Sequence, residues 1–473
     1  MHEIASTVRL QHVYVKASSN PFDDRNEVDT ATTALAPSLD SKACSDEARA
    51  HTFSVRSTTS TVQYSHEPYS SFQHKAAQLS VELFPGCSTK DITIERMKGG
   101  SFNRIVGITL YKPEQELPWY DMAKLRPIMA ACVRGKKAHG TTPKQYILRI
   151  PRHDVHDLHY QAVLLAYLEH KIPYATPKCL SYSSGADNAL GRAYMLQKRL
   201  PGKPLSQIWA KLTPEQRQSA ARCIAEAVRD LPKVKSTCAG VVSLRSTVSD
   251  MENDSVKLEP VTMPRRTASV VADDLFKTTL ASPQSTRDFL LSLIARQQTS
   301  AEEAGIPAFD KIWSGLTAMI NTVHSQGLLP DGDPFVLYHP DFQRQNLLFT
   351  TQNPSRVLLS GIIDWDGALF APKFMSTRSP FFLWTDECAD KEAEGDALIE
   401  PSDPELRAYK RTFEDVVGQD FCKDAYCPQY IFLRRIWRFL VNGIRNEIDL
   451  FLAEEVLDEW EEKYPTFTVE DDE

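Results

Sequence analysis

The chain has 473 residues, 42% of them hydrophobic and 25% charged, with a formal net charge of −8. That is the composition of a globular chain with room for two or three domain-sized units, and its acidic balance excludes the basic surface that non-specific nucleic-acid binding needs. No apolar run approaches the length of a membrane span, and nine cysteines scattered through a long sequence read as reduced thiols rather than a disulfide framework.

Residues 1–75 are rich in Ser, Thr, Ala and Asp and show little periodicity, so a disordered tail is expected there. The start, Met1-His2-Glu3-Ile4-Ala5-Ser6-Thr7, lacks the basic-then-apolar order of a secretory signal, which leaves a cytoplasmic location, with a mitochondrial presequence still open. A short amphipathic helix is predicted from Ala76 to Phe84. Strands follow over Asp91–Met97 and Asn103–Tyr111, joined by Lys98-Gly99-Gly100-Ser101-Phe102. A Gly-rich turn between two strands can bring backbone N–H groups close to phosphates, although an ordinary hairpin has the same pattern. Residues 112–142 are an insertion.

Next come a strand over Gln145–Ile150, a helix over His156–Glu169 and a strand over Ala193–Arg199 broken by Pro201-Gly202. Helical patterns dominate afterwards: Leu205–Lys211, Pro214–Leu231, Thr286–Gln297, Phe309–Gln326, Pro428–Phe451 and Glu454–Lys463. The polar segment 236–275 interrupts them and reads as a mobile insertion. A strand-rich part followed by a helical part predicts an α+β, two-lobed protein-kinase-like fold. Its divisions are a tail at 1–75, a small β-rich nucleotide-binding lobe at 76–200, and a larger, mainly helical lobe at 201–473.

The chemistry concentrates late in the chain. An apolar run ends in His339-Pro340-Asp341, Asn346 follows Asp341 by five places, and a second apolar run ends in Ile363-Asp364-Trp365-Asp366. Phosphoryl transfer needs a carboxylate that takes the acceptor's hydroxyl proton, and an amide oxygen and a second carboxylate that hold metal ions on the phosphates. Asp341 fits the first role and Asn346 and Asp364 the second, if strand-loop-strand segments 336–338 and 347–349 and a strand over Val357–Ile363 deliver them together. Two plain hairpins with polar turns are the bland alternative.

These pieces, together with Glu95–Arg104, Tyr146–Arg152, Ile172–Pro177, Tyr194–Gly202 and Gly361–Ala368 followed by Phe370-Ala371-Pro372, resemble the aminoglycoside-phosphotransferase-like family in its fungal branch. The resemblance implies ATP or GTP bound between lobes with Mg²⁺, the purine against backbone from Gln197 through Arg199 to Leu200, and Arg149 together with Gly99, Gly100, Ser101 and Phe102 on the phosphates. It also implies a small hydroxylated acceptor; the acidic net charge and the lack of a long apolar run argue separately against a nucleic-acid or membrane partner. His339 reads as a brace of the loop, and Asp366 as an outer helper of the metal ligands.

Three departures stand out. Pro340 replaces the usual Gly after His, Gln161 falls where a helix Glu should pair with Arg149, and the 112–142 insertion separates the second and third strands. Pro340 and Gln161 motivate a competing class, a pseudokinase scaffold whose partners would contact the tail and the 236–275 insertion. A protein kinase fits less well, because Asp364 is followed by Trp365-Asp366. Other signals read as structural: His153, His156 and His159 as the start of an ordinary helix rather than a zinc site, Trp365 and Phe381–Trp384 as core rather than a pocket, and Asp386, Glu387, Asp390, Glu392 and Glu394 as a solvated acidic loop rather than a cradle for a cationic acceptor.

Overall fold

Alternating apolar residues on successive segments build one antiparallel sheet, because side chains two apart in a strand share a face. The computed structural model describes residues 67–97, 99, 102–111, 143–152, 157–246, 250, 256–261, 279–305, 309–385 and 391–465. The expected tail up to residue 66, the whole 112–142 insertion, and Gly100 and Ser101 lie outside them. Strands β1 (Ile92–Arg96), β2 (Asn103–Leu110), β3 (Lys144–Pro151), β4 (Cys179–Ser183) and β5 (Tyr194–Lys198) form a sheet in the order β1-β2-β3-β5-β4. Val106 and Ile108 of β2 sit opposite Leu148 and Tyr146 of β3. All four are buried under helix α1 (Tyr69–Leu83), which contributes Phe72, Ala76 and Leu79 at helical spacing. This helix begins before the predicted Ala76. Its first turns carry Ser70, Ser71, Gln73 and His74, polar residues that mask the periodicity, while Phe72 is buried with the Arg104 guanidinium 4.0 Å from its ring centroid.

The other face of the sheet looks onto the second lobe. Helix α2 (Asp157–Lys171) buries Leu158, Leu164, Leu165 and Leu168 in the larger core. After β5 the chain crosses at Pro201-Gly202. Gly202 has φ 97°, and a Cβ there would lie 2.7 Å from the Phe349 carbonyl oxygen, so only glycine allows this close approach. Strand β6 (Lys203–Pro204) then pairs directly with β11 (Leu347–Asn353), which pairs with β12 (Arg356–Ile362).

The second lobe is mainly helical: α3 (Leu205–Ile208), α4 (Pro214–Asp230), α5 (Thr286–Ala304), α6 (Asp310–Ser325), α7 (Lys373–Ser376), α8 (Pro404–Val417), α9 (Gln419–Ala425), α10 (Pro428–Asn442) and α11 (Glu447–Lys463). The helix expected to run from 428 to 451 is divided. Gly443 turns to φ 70°, and the Asn446 side chain caps α11 by accepting from Asp449 N at 2.9 Å. The two-lobed α+β expectation holds.

Of the segment expected to be a mobile insertion, residues 236–246 and 256–261 are built into the fold, and 262–275 lie outside the described residues. Strand β7 (Lys235–Ser236) pairs with β10 (Phe335–Tyr338), β8 (Val241–Val242) pairs with β9 (Leu258–Glu259), and Gly240 bridges Phe370 in β13 (Leu369–Ala371). Glu259 is buried and accepts hydrogen bonds from Ser243 Oγ at 2.5 Å and from Tyr160 OH of α2 at 2.7 Å. No helix among the described residues is long and apolar enough to cross a membrane.

Candidate active site

Strand β10 carries three apolar residues into the core and pairs with β13, which leaves His339 and Asp341 at its emerging end. His339 is buried between two polar groups. Its Nε2 lies 3.0 Å from the Ile363 carbonyl, and its Nδ1 accepts the Asp341 N–H at 3.1 Å. A backbone N–H can only donate, so Nδ1 is unprotonated and Nε2–H donates to the carbonyl. The ring is therefore neutral, and burial pushes its pKa down to about 4, against smaller opposing effects from the Ile363 carbonyl and the Asp341 charge. Trp365 lies beneath it with ring centroids 4.5 Å apart. His339 is thus the expected brace: it ties the residue before Asp364 to the backbone of Asp341.

Pro340 fits without distortion. The only described non-glycine residues at positive φ are Phe309 and Asp364, so position 340 needs no glycine conformation. The short-range hydrogen bond here uses the N–H of Asp341, not the one that proline lacks.

Asp341, Asn346 and Asp364 come together as expected. Asn346 Nδ2 donates to both the backbone oxygen and Oδ2 of Asp341, each at 2.8 Å, and Gln345 Nε2 reaches the same Oδ2 at 3.2 Å. The two amides fix the carboxylate plane. The Asn346 carbonyl accepts from Ile363 N at 2.9 Å, so β12 is tied to the loop one residue before Asp364. Asp364 sits at φ 63°, a left-handed conformation that Asp tolerates better than most residues. Burial raises its pKa, as do the nearby Asp366 and Asp341 carboxylates, and Arg149 opposes the rise.

Arg149 projects from β3 and is 8% exposed. Its Nη2 lies 2.5 Å from Asp366 Oδ2 and 3.7 Å from Asp364 Oδ1. Asn103 Nδ2 of β2 reaches the same Asp366 oxygen at 3.4 Å. Gln161 makes no hydrogen bond to Arg149 among the described contacts. Asp366, read from sequence as an outer helper of the metal ligands, is the direct counter-ion of Arg149.

The remaining sites are mixed. At Gly99 a Cβ would meet the Asn103 carbonyl oxygen at 2.6 Å, so the turn requires glycine, and Phe102 is exposed at its exit. The Gln197 side chain is buried, with Nε2 directed at Met195 Sδ, and Arg199 pairs with Glu95 at 2.7 Å. His153 and His156 lie outside the described residues, and His159 packs edge-on against Tyr182. Trp365, Phe381, Leu383 and Trp384 are core, as expected, yet Phe381 and Phe382 also wall a cleft beside the loop with Tyr338, Phe342, Met375 and Arg378. Of the presumed solvated acidic loop, Glu394 is a correction: it is 2% exposed and held between Arg378 at 2.9 Å and Arg434 at 2.8 Å. Buried and ion-paired with two arginines, this carboxylate does not face solvent as a cradle for a cationic ligand would.

Among the described residues no three His, Cys, Asp or Glu side chains close around a point as a metal centre. Mg²⁺ in nucleotide sites needs less, one or two protein oxygen ligands beside phosphate oxygens. The hard oxygens of Asn346 and Asp364 suit it, and a cation there would offset both the burial and the carboxylate repulsion that raise the pKa of Asp364.

The chain is similar to several known proteins. Two curated Aspergillus fumigatus proteins, subtelomeric hrmA-associated cluster proteins from different strains, are each 22% identical over 309 residues. The match covers 55% of this chain and 60% of each of them, so the chain spans only about 60% of the length of these relatives. Among solved structures, the GDP and kanamycin complex of APH(2")-IIia is 13% identical, with 83% of this chain and 99% of that one covered and a TM-score of 0.41. Aminoglycoside phosphotransferase APH(4)-Ia is 15% identical over 82% and 97%, also at 0.41. The model of the phosphotransferase enzyme family matches residues 136–372. That stretch runs from β3 and Arg149 through the crossing to the loop of Asp341 and Asn346, Asp364 and Asp366, and the chain belongs to the phosphotransferase enzyme family.

Proposed function

We propose that the protein transfers the terminal phosphoryl group of ATP or GTP to a hydroxyl of a small molecule. The observation that carries this reading is the single network holding Asp341, Asn346 and Asp364 at neighbouring strand ends. Asp341 would accept the hydroxyl proton as the acceptor oxygen attacks, with its carboxylate held by Asn346 and Gln345. Asn346 and Asp364 would hold Mg²⁺, whose chemistry is to neutralise phosphate charge. Arg149 would face the phosphates, a fixed-charge fork suited to them. The Gly99 turn would close over them from above, and backbone near Gln197 and Arg199 would meet the purine. Positioning and charge neutralisation would supply most of the rate.

The scaffold alternative loses its two motives. Pro340 is accommodated, and the place left open by Gln161 is filled by Asp366. The cleft beside the loop, walled by Tyr338, Phe342, Met375, Phe381 and Phe382, has a cavity volume of only about 60 Å³ and would take no more than one edge of the acceptor.

The test is the shift in melting temperature with nucleotide and Mg²⁺. A ligand that binds only the native state must raise apparent stability, by about 2.7 kcal/mol at a hundredfold excess over Kd. Wild type should show a metal-dependent rise that Asp364→Asn loses, after which hydroxylated acceptors can be screened for phosphorylation. A wild type that shifts with neither ATP nor GTP would sink the reading.

A further inference from the structure

Resting on that reading, we infer that Asp366 is the positioning residue for Arg149, standing in for the helix carboxylate that kinase-like folds use to hold the basic residue of the third strand. Among its described side chains the helix here supplies none. Along α2 the acids are Asp157 at the first position and Glu169 near the last turn, and Glu169 is engaged with Lys178 at 2.8 Å. Tyr160 is committed to Glu259, and Gln161 is neutral. Asp366 instead meets Arg149 at 2.5 Å from the opposite lobe, and the Asn103 amide steadies the same oxygen at 3.4 Å.

The substitution changes what the basic residue depends on. A helix carboxylate makes the position of the phosphate-binding cation follow the helix. Asp366 is two residues from Asp364, in a turn fixed by the Ala368 N–H to Trp365 carbonyl bond at 3.0 Å and by Gly367 at φ 71°. One short loop therefore sets the positions of the Asp364 oxygens and the Arg149 guanidinium together. The pair also clasps the lobes, since Asn103 and Arg149 belong to the sheet and Asp366 to the loop after β12. Arg149 is nearly buried, so its charge has no solvent to fall back on if Asp366 is lost.

The experiment is a mutant cycle on the full chain: Asp366→Asn, Arg149→Gln and the double variant, with Asp366→Glu and Gln161→Ala alongside. Turnover is read against nucleotide and against Mg²⁺, and thermal unfolding is read without ligand. Asp366→Asn should lower kcat/KM for nucleotide by on the order of 100-fold. The Mg²⁺ concentration for half-maximal rate should not change. In the Arg149→Gln background the same change should cost less than about threefold, because its partner is already gone. Asp366→Glu should recover part of the loss, and Gln161→Ala should stay within about twofold of wild type. Two results would overturn the inference. One is a raised Mg²⁺ requirement in Asp366→Asn with an equal loss when Arg149 is absent, which would make Asp366 a metal ligand. The other is a Gln161→Ala loss as large as that of Asp366→Asn. If wild type neither binds nucleotide nor turns over, the phosphotransfer reading fails by itself, and the ligand-free unfolding cycle still decides the pair: additive losses at 149 and 366 refute it.

Discussion

Acid should loosen the catalytic loop through one imidazole. His339 is 4% exposed, and its two ring nitrogens already have the partners of a neutral ring: Nε2–H on the Ile363 carbonyl and Nδ1 on the Asp341 N–H. A proton on Nδ1 would face another N–H. Its pKa is lowered to about 4, chiefly by burial, whereas an unfolded chain would hold it near 6.5. The sign follows from which state binds the proton first. As pH falls, the unfolded chain protonates before the folded one, so the stabilisation from a neutral buried ring is intact above about pH 6.5 and is lost as pH falls toward 4. Linkage with these two values gives a loss of about 2 kcal/mol between about pH 7 and about pH 5 from this residue alone.

Urea unfolding followed by tryptophan fluorescence across that range, for wild type and His339→Gln, isolates the effect. Glutamine keeps hydrogen-bonding capacity but takes up no proton, and carboxylates elsewhere cancel in the difference. Wild type should lose about 2 kcal/mol more than the variant on acidification. Parallel pH slopes, or a His339 ring that titrates near 6.5 by NMR in the folded protein, would refute the neutral-brace assignment.

Two further outcomes follow from the same geometry. Pro340→Gly should cost about 1 kcal/mol in urea unfolding, through the freer unfolded chain, and should leave turnover within a few-fold of wild type, because no hydrogen bond or positive φ depends on the ring. A collapse of activity would mean that the proline shapes the loop. Glu394→Gln should cost about 3 kcal/mol or more, because it leaves the Arg378 and Arg434 guanidiniums without their shared buried carboxylate, and thermal melts would show it. A change below about 1 kcal/mol would place Glu394 at a solvated surface, as an exposed ion pair would be.

Much of the site was legible in the sequence because its groups sit at the ends of short apolar strands, where local pattern fixes position. Asp341 lies just past the end of β10, Asn346 precedes β11 and Asp364 follows β12, so reading the strands brings these three side chains together. Edges and polar surfaces were less legible. Strand β4 escaped because Cys179-Leu180-Ser181-Tyr182-Ser183 is an edge strand without a fully buried face, and α1 started early because its first turns are mostly polar. The partner of Arg149 was out of reach for another reason. Asp366 is 217 positions away, and nothing local distinguishes a carboxylate that meets an arginine from one that faces a metal. The Glu394 correction is of the same kind, since its two arginines come from separate segments and the acidic run around it reads as surface.

If Asp364 holds a metal ion as proposed, the stretch from Asp364 to Gly367 would let an acid two residues later hold Arg149 in place of a helix carboxylate. Trp365 is driven inward, 2% exposed, with its indole Nε1–H on the Ile362 carbonyl at 2.9 Å and its face against His339. With that anchor set, the residues on either side both reach Arg149. Two carboxylates then share one guanidinium, and Asp341 adds a third negative group within range of Asp364. One fixed positive charge cannot balance three carboxylates in a partly buried cleft. Burial first, and then this unbalanced negative charge, raise the pKa of Asp364, while Asp366 lies nearer the arginine. On the proposed reading, the carboxylate nearer the guanidinium would position Arg149, and Asp364, held less closely by it, would suit a cation that arrives with the nucleotide.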